Sequence, residues 1–320
     1  MPAFHYRTFR NADPPVLVDL WRSRVRPTGL AQPVSTDLLE QLVFAKLYFE
    51  HRGLFLAFDS GLPVGFAHAG FGPNEEQNWI SMEIGVTCVV QVHPDCSQAN
   101  EVAGGLLDRC EGYLRGCGAK VLYGGSSSPW TPFYFGLYGG SESPGVLDSD
   151  SLVQQLYSAR GYEAVDHTLL LQRDLNGFES LIDRQQMQIR RQMIVEVVND
   201  APTRSWWDAS ILGEFDLTRF DLVPRTGGAA IASAVFRSME PSVTNAMGRA
   251  TGLIHFKVEE SYQGRGVANF LLSEAFRQFI RQGIQQVEAQ IPQGDEPALA
   301  VLRDLGFQLV DEGCVYRKKA

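Results

Sequence analysis

The chain has 320 residues, with 28 Lys plus Arg against 37 Asp plus Glu, a formal net charge of −9 and a pI near 5.2. That balance excludes a protein whose main work is gripping nucleic acid or an anionic membrane, while leaving room for a local cationic pocket. The length predicts two domains, and the 44% hydrophobic and 20% charged content is that of a folded globular chain rather than a disordered one. No run approaches the roughly 18 apolar residues of a membrane span, and the start, Met-Pro-Ala-Phe-His-Tyr-Arg, has no basic region followed by an apolar run. Five cysteines (Cys88, Cys96, Cys110, Cys117, Cys314) form no CxxC pair. They read as small packing residues in a reducing, cytoplasmic setting, with no metal site.

Apolar periodicity gives strands alternating with helices, and the order occurs twice. The first half reads as a strand over 6–10, helices over 16–25 and 38–49, and a hairpin of Leu54–Asp59 and 64–71 around Ser60-Gly61-Leu62-Pro63. A long strand over 80–92 follows, then a helix over 102–116, a strand over 120–123, a helix over 152–159 and a strand over 162–173. Asp174-Leu175-Asn176-Gly177 breaks the pattern, and 178–192 reads as a polar crossing helix with no low-complexity linker. The second half gives a strand over 193–198, a helix over 206–212, and strands over 220–223 and 230–236 around Arg225-Thr226-Gly227-Gly228. Thereafter come a strand over 251–258, a helix over 266–281, a strand over 286–291, a helix over 298–304, and two strands around Glu312-Gly313.

The register predicts a duplication. Leu106-Leu107 maps onto Leu271-Leu272 and Gly118 onto Gly283, each at an offset of 165, whereas Gly161-Tyr162 and Gly306-Phe307 differ by 145. The first half therefore carries about 20 extra residues near 124–150, rich in Gly, Ser and aromatics such as Trp130, Tyr134 and Tyr138. A loop of that length and composition predicts an ordered lid or wall. The predicted domains are 1–174 and 175–320.

The segment Val258 to Asn269 carries the chemistry. A strand ends at Val258 and an amphipathic helix starts near Gly266, with Gln263-Gly264-Arg265-Gly266-Val267-Ala268 between them. Glycines let the backbone bend sharply and approach a ligand, and a helix start offers unpaired N–H groups to an anion. Arg265 adds a formal charge. This segment resembles the Gln/Arg-x-x-Gly-x-Gly/Ala signature of the GCN5-related N-acetyltransferase (GNAT) superfamily, and the helix, strand, helix and Leu305-Gly306-Phe307 that follow keep the family's order. The resemblance extends over both halves and implies an α/β fold of two tandem acyl-coenzyme A N-acyltransferase-like domains. It implies acetyl-coenzyme A as co-substrate, held at Val258, Gln263, Gly264, Arg265, Gly266, Val267, Ala268 and Asn269, and a small-molecule amine as acceptor.

The first half departs from the pattern: its matching stretch, 92–103, has Ala99 and Glu101 where the second has glycines. A carboxylate about 5 Å from a phosphate charge opposes binding by roughly 3 kcal/mol at an effective dielectric of 20, so the first half is expected not to hold the donor. In this family a tyrosine on the last helix often protonates the departing thiolate. Leu302 stands there in the second half and Tyr157 in the first. The strand positions that often hold the family's base correspond to Gly252 and Ile254, leaving His255 as a candidate base and Tyr316 on the final strand as a candidate acid. Glu83, Glu240 and Asp295 read as solvated charges. Two other readings stay open: a descendant that binds coenzyme A or a partner without transfer, and an aminoacyl transferase using charged tRNA, which the net charge disfavours.

Overall fold

A computed structural model describes residues 4–24, 29–179, 184–239 and 249–320. Val25, residues 180–183 of the crossing segment, and Glu240 lie outside the described residues. The first half forms β1 (His5–Thr8), α1 (Pro14–Arg22), α2 (Thr36–Leu39) continuing as a π-helical turn over Glu40–Phe44, β2 (Leu54–Asp59), β3 (Leu62–Pro73), β4 (Ile80–Val92), α3 (Ala99–Gly116), β5 (Val121–Gly124), β6 (Val146–Leu147), α4 (Ser151–Ala159) and β7 (Glu163–Asp174). Next come α5 (Arg184–Gln192), β8 (Met193–Asn199), α6 (Trp206–Leu212), β9 (Leu217–Pro224), β10 (Ala232–Ser238), β11 (Arg249–Val258), α7 (Val267–Arg281), β12 (Ile284–Pro292), α8 (Glu296–Asp304) and β13 (Gln308–Lys319). No described helix is long and apolar enough to cross a membrane.

Local chemistry accounts for most boundaries. Ser60 and Gly61 both take positive φ (49° and 86°), the conformation a two-residue hairpin turn demands, so β2 and β3 are joined as expected. The predicted helix over 38–49 is corrected: it is four α-helical residues, a π turn and an irregular end. Phe44 and Phe49 both pack on Phe9, with ring centroids 5.0 and 5.7 Å away. A straight helix would point residues five apart about 140° away from each other. The two predicted final strands are one continuous strand, β13, because Gly313 does not turn. A side chain on Gly313 would meet the Pro144 carbonyl oxygen, so glycine there serves close approach rather than reversal.

The chain folds into two compact units, each with its own core. The first comprises residues 1–168, 203–214 and 311–320; the second comprises 169–202 and 215–310. In the first unit the strand order is β1-β2-β3-β4-β5-β13, with β4–β5 parallel and the other named pairs antiparallel. In the second it is β7-β12-β11-β10-β9-β8, with β11–β12 parallel. A division at 174/175 thus differs from the compact units, which take two pieces of the second half into the first. One is α6, whose Trp207 is 1% exposed, donates from Nε1 to the Pro129 carbonyl at 2.7 Å and lies with its ring 5.2 Å from that of Tyr48. The other is the end of β13, which pairs with β5 from Tyr316↔Gly124 to Lys319↔Val121.

The insertion at 124–150 is built into the first unit. Tyr134 is buried at a strained φ of 66°, stacks on Trp21 at 5.7 Å and meets His68 Nδ1 through its hydroxyl at 3.0 Å. His68 is fully buried, and desolvation pushes its imidazole down to about 3, which keeps it neutral.

Candidate functional site

In the second unit, β11 and β12 run together from Arg249↔Ile284 to Leu253↔Ala289 and then part. Beyond that point β11 continues to Val258, still paired on its other side with β10. A β-bulge marks the place: Phe236 faces Leu253 and Val235 faces His255, so Ile254 is the extra residue. The edge of Ile254–Val258 that leaves β12 presents backbone groups to a gap between the strands. The first unit repeats the device, since Ala69 faces Thr87, His68 faces Val89, and the β4–β5 pairing ends at Thr87↔Gly124.

Past Val258 the chain makes a single 3₁₀ turn at Glu260–Tyr262 and enters the glycine segment. Gly264 and Gly266 both sit in the left-handed region, at φ 68° and 67°. Gln263 folds back to donate from Nε2 to the Val258 carbonyl at 3.3 Å, and the Arg265 guanidinium lies 5.8 Å from the Tyr262 ring centre. Gly266 is the N-cap of α7, whose first turn has no acidic residue and no side-chain cap. The leading amides of this fifteen-residue helix therefore keep their partial positive charge for an outside anion. α5 supports the loop from behind. Gln186 Nε2 donates to the Gly266 carbonyl at 3.2 Å, and a Cβ on Gly266 would fall 3.1 Å from the Gln185 side chain.

The sequence-predicted residues separate into two groups. Val258, Gln263–Asn269 and His255 share one strand–loop–helix, with Val267 anchoring the helix in the core and His255 half-buried on β11. Tyr316 groups with the first unit, where it pairs with Gly124 and stacks on Tyr157 at 5.3 Å. Burial, then the neighbouring Cys314, pushes its phenol up to about 12. β13 passes from the second unit into the first after Val310. Leu302 is 3% exposed and packs in the second core with α7 residues. Sequence reasoning missed Glu288 of β12, which is 4% exposed and accepts a 2.9 Å hydrogen bond from Gln172 Nε2. Its signal was a strand alternating Gln286, Glu288 and Gln290 with Val287, Ala289 and Ile291, a pattern that ordinarily means a solvated face.

The first unit's counterpart differs: its helix start opens on a hollow of about 510 Å³ lined by Ser97, Gln98, Ala99, Asn100 and Glu101, while its strand divergence is occupied. Glu101 lies in the first turn of α3, where Gln98 Nε2 donates to it at 2.9 Å, so the helix start already faces a carboxylate. At the strand divergence the Thr87 carbonyl accepts from the Gly125 N–H at 3.1 Å and the Tyr157 hydroxyl at 3.4 Å. A Cβ on Gly124 would collide with the Tyr157 ring, so the glycine makes room for it.

Parallel strands that part at a bulge occur in both units, and in the second they run into a glycine loop and a bare helix start, the arrangement of a tandem GNAT fold. Residues 187–307 match the model of the Acetyltransferase (GNAT) family. The whole chain is similar to solved structures of the same fold. One is a region described as a GCN5-related glucosamine N-acetyltransferase within a fungal multi-domain GH3 beta-N-acetylglucosaminidase (TM-score 0.72, 17% identity); the match covers 99% of this chain and 38% of that one. A second is a tandem GNAT protein from the clavulanic acid biosynthesis pathway (0.67, 12%, covering 99% and 98%). A third is a GCN5-related N-acetyltransferase from Sphaerobacter thermophilus (0.62, 14%, 99% and 95%). No curated protein sequence matches the chain.

Proposed function

We propose that the second unit binds acetyl-coenzyme A and that the protein transfers the acetyl group to an amine of a small-molecule acceptor. The observation that carries this reading is the coincidence, on one strand–loop–helix, of the strand divergence after Leu253 with two left-handed glycines and an uncapped helix start. The residues present fit the donor. The amides from Gly264 to Asn269 suit its pyrophosphate, and the exposed edge of Ile254–Val258 suits the amide-bearing pantetheine arm as a third strand would. The donor supplies an activated thioester, and the β11 edge offers N–H groups to its carbonyl oxygen.

The first unit takes no donor in this reading, because Glu101 stands at the start of α3 and Tyr157 with the 125–147 loop fills its strand divergence. The acceptor is a small molecule rather than a nucleic acid or a membrane component, in keeping with the net charge of −9. A second reading, a coenzyme A binder without transfer, draws support from Leu302, an apolar core residue where a tyrosine acid would stand. Calorimetry with coenzyme A, followed by thiol release from acetyl-coenzyme A over an amine panel, tests both. Binding with transfer supports the first reading, binding without transfer the second, and no binding removes both.

A further inference from the structure

The face of the second unit's sheet turned away from α7 and α8 carries a buried polar row at the strand divergence. Val287, Ala289 and Ile291 pack into the core with α7 and α8, so alternation turns Gln286, Glu288 and Gln290 to the opposite face. Gln286 and Glu288 are nonetheless only 6% and 4% exposed. They are organised: Gln286 Nε2 donates to Gln172 Oε1 at 3.1 Å, and Gln172 Nε2 donates to Glu288 Oε2 at 2.9 Å. The carboxylate is thereby held at the end of a two-step relay that runs from β12 to β7 and back.

Its neighbours along the sheet are as informative. Across from Glu288 on β11 stands Gly252, which has no side chain, and across from Gly252 on β10 stands Arg237, fully buried. Side chains directly opposite one another share a face, so a carboxylate and a guanidinium flank Gly252, which carries no side chain. One residue further on, about 3.3 Å along each strand, Leu253 and Ala289 form the last β11–β12 pair before the strands part. Burying an ionisable carboxylate is unfavourable by several kcal/mol unless partners offset it, and a β-branched residue would fill a strand position there without that penalty. The structure instead holds an oriented carboxylate through a glutamine relay, one residue short of the last β11–β12 pair.

We infer that Glu288 is the proton acceptor for the acceptor amine in the transfer reaction, an assignment that rests on the acetyl-transfer reading above. The carboxylate removes one proton from the acceptor ammonium, giving the free amine and the carboxylic acid. The amine nitrogen then forms its bond to the thioester carbon as the carbon–sulfur bond breaks, and the proton left over on nitrogen ends on the departing sulfur as a thiol. The acetylated acceptor and coenzyme A are the products, and Glu288 returns its proton to solvent. Base function thus passes from β11, where Gly252 has no side chain, to the adjoining strand.

The test is Glu288→Gln, which keeps the shape of the side chain and an oxygen to accept from Gln172. Thiol release from acetyl-coenzyme A is followed with glucosamine, spermidine and a lysine-containing peptide as amines, and coenzyme A affinity is measured on the same samples. The expected result is a fall in kcat of about 10²–10⁴-fold, the usual worth of a general base, with KM for acetyl-coenzyme A and the calorimetric affinity within about twofold of the unmodified protein. A folded Glu288→Gln protein with unaltered kcat overturns the inference and leaves acetyl transfer standing. An unmodified protein that neither binds coenzyme A nor releases thiol with any of the three amines overturns the acetyl-transfer reading, and this assignment with it. If Glu288→Gln does not fold, Glu288→Asp decides, because it keeps the charge but withdraws it by one methylene. A kcat lowered tenfold or more at native coenzyme A affinity supports the role, and an unaltered kcat overturns it.

Discussion

Replacing Gly264 with alanine isolates backbone conformation from every other property of the loop. A Cβ built on Gly264 meets no atom within 4 Å, so the substitution introduces no clash. Its φ of 68° is another matter, since the left-handed region disfavours an L-residue by about 1–2 kcal/mol. That difference shifts the loop away from the conformation in which its amides converge. At RT near 0.6 kcal/mol the competent fraction falls by roughly 5- to 30-fold, and the apparent Kd for coenzyme A rises by the same factor. Gly266→Ala at φ 67° should be affected at least as much, because its Cβ also presses to 3.1 Å from the Gln185 side chain. Calorimetric titration of both variants with coenzyme A reads the effect directly, with thermal unfolding as a control for gross damage. A Gly264→Ala protein that binds coenzyme A as tightly as the unmodified chain would refute the claim that the left-handed glycine conformation sets the site.

Other consequences follow from burial and from the make-up of the units. His68 titrates near 3 folded against about 6.5 unfolded, so the unfolded chain binds the extra proton between those values; stability is flat above pH 6.5 and declines below it, by about 2 kcal/mol at pH 5. Urea midpoints at pH 7 and pH 5 should therefore drop further for the unmodified chain than for His68→Gln, and equal drops would count against a neutral buried imidazole. Leu302→Tyr should destabilise by about 1–3 kcal/mol through overpacking of a side chain that is 3% exposed, which denaturant titration would show; a variant as stable as its parent would mean open space beside α8. A fragment of residues 175–320 should aggregate, because Trp207 and the outer part of β13 lose their partners in the first unit; a soluble monomer with the full chain's melting temperature would contradict that dependence.

Periodic segments were readable because local rules and tertiary packing agree in them. The amphipathic stripe of α7, the Ser60-Gly61 turn and the Gln263–Ala268 glycine segment each owe their conformation to chemistry within a few residues. Where sequence reasoning failed, the deciding contact was distant. Gly313 reads as a turn, but its smallness answers the Pro144 carbonyl, which is far away in sequence. Tyr316 follows α8 in the chain, yet the end of β13 that carries it pairs with β5. Glu288 had the alternation of a solvated strand face, and only the folded arrangement with Gln172 shows that the face is covered. Periodicity reports which residues share a face and is silent about what lies over it.

The membership of α6 and the end of β13 in the first unit also dictates an order of events during synthesis. A ribosome making this chain finishes residue 168 well before it reaches the last strand the first unit needs, 311–320. At about 5–20 residues per second the remaining 152 residues take roughly 8–30 s. For that interval the nascent N-terminal body has the β5 edge without its β13 neighbour, and for the first roughly 2–8 s of it also lacks the Trp207 indole. An open strand edge beside an apolar vacancy invites mispairing between neighbouring polysomal chains. The second unit has no such wait, since its own segments are complete at Val310. Translation speed through the second half thus becomes a determinant of how much of the first unit reaches its native state.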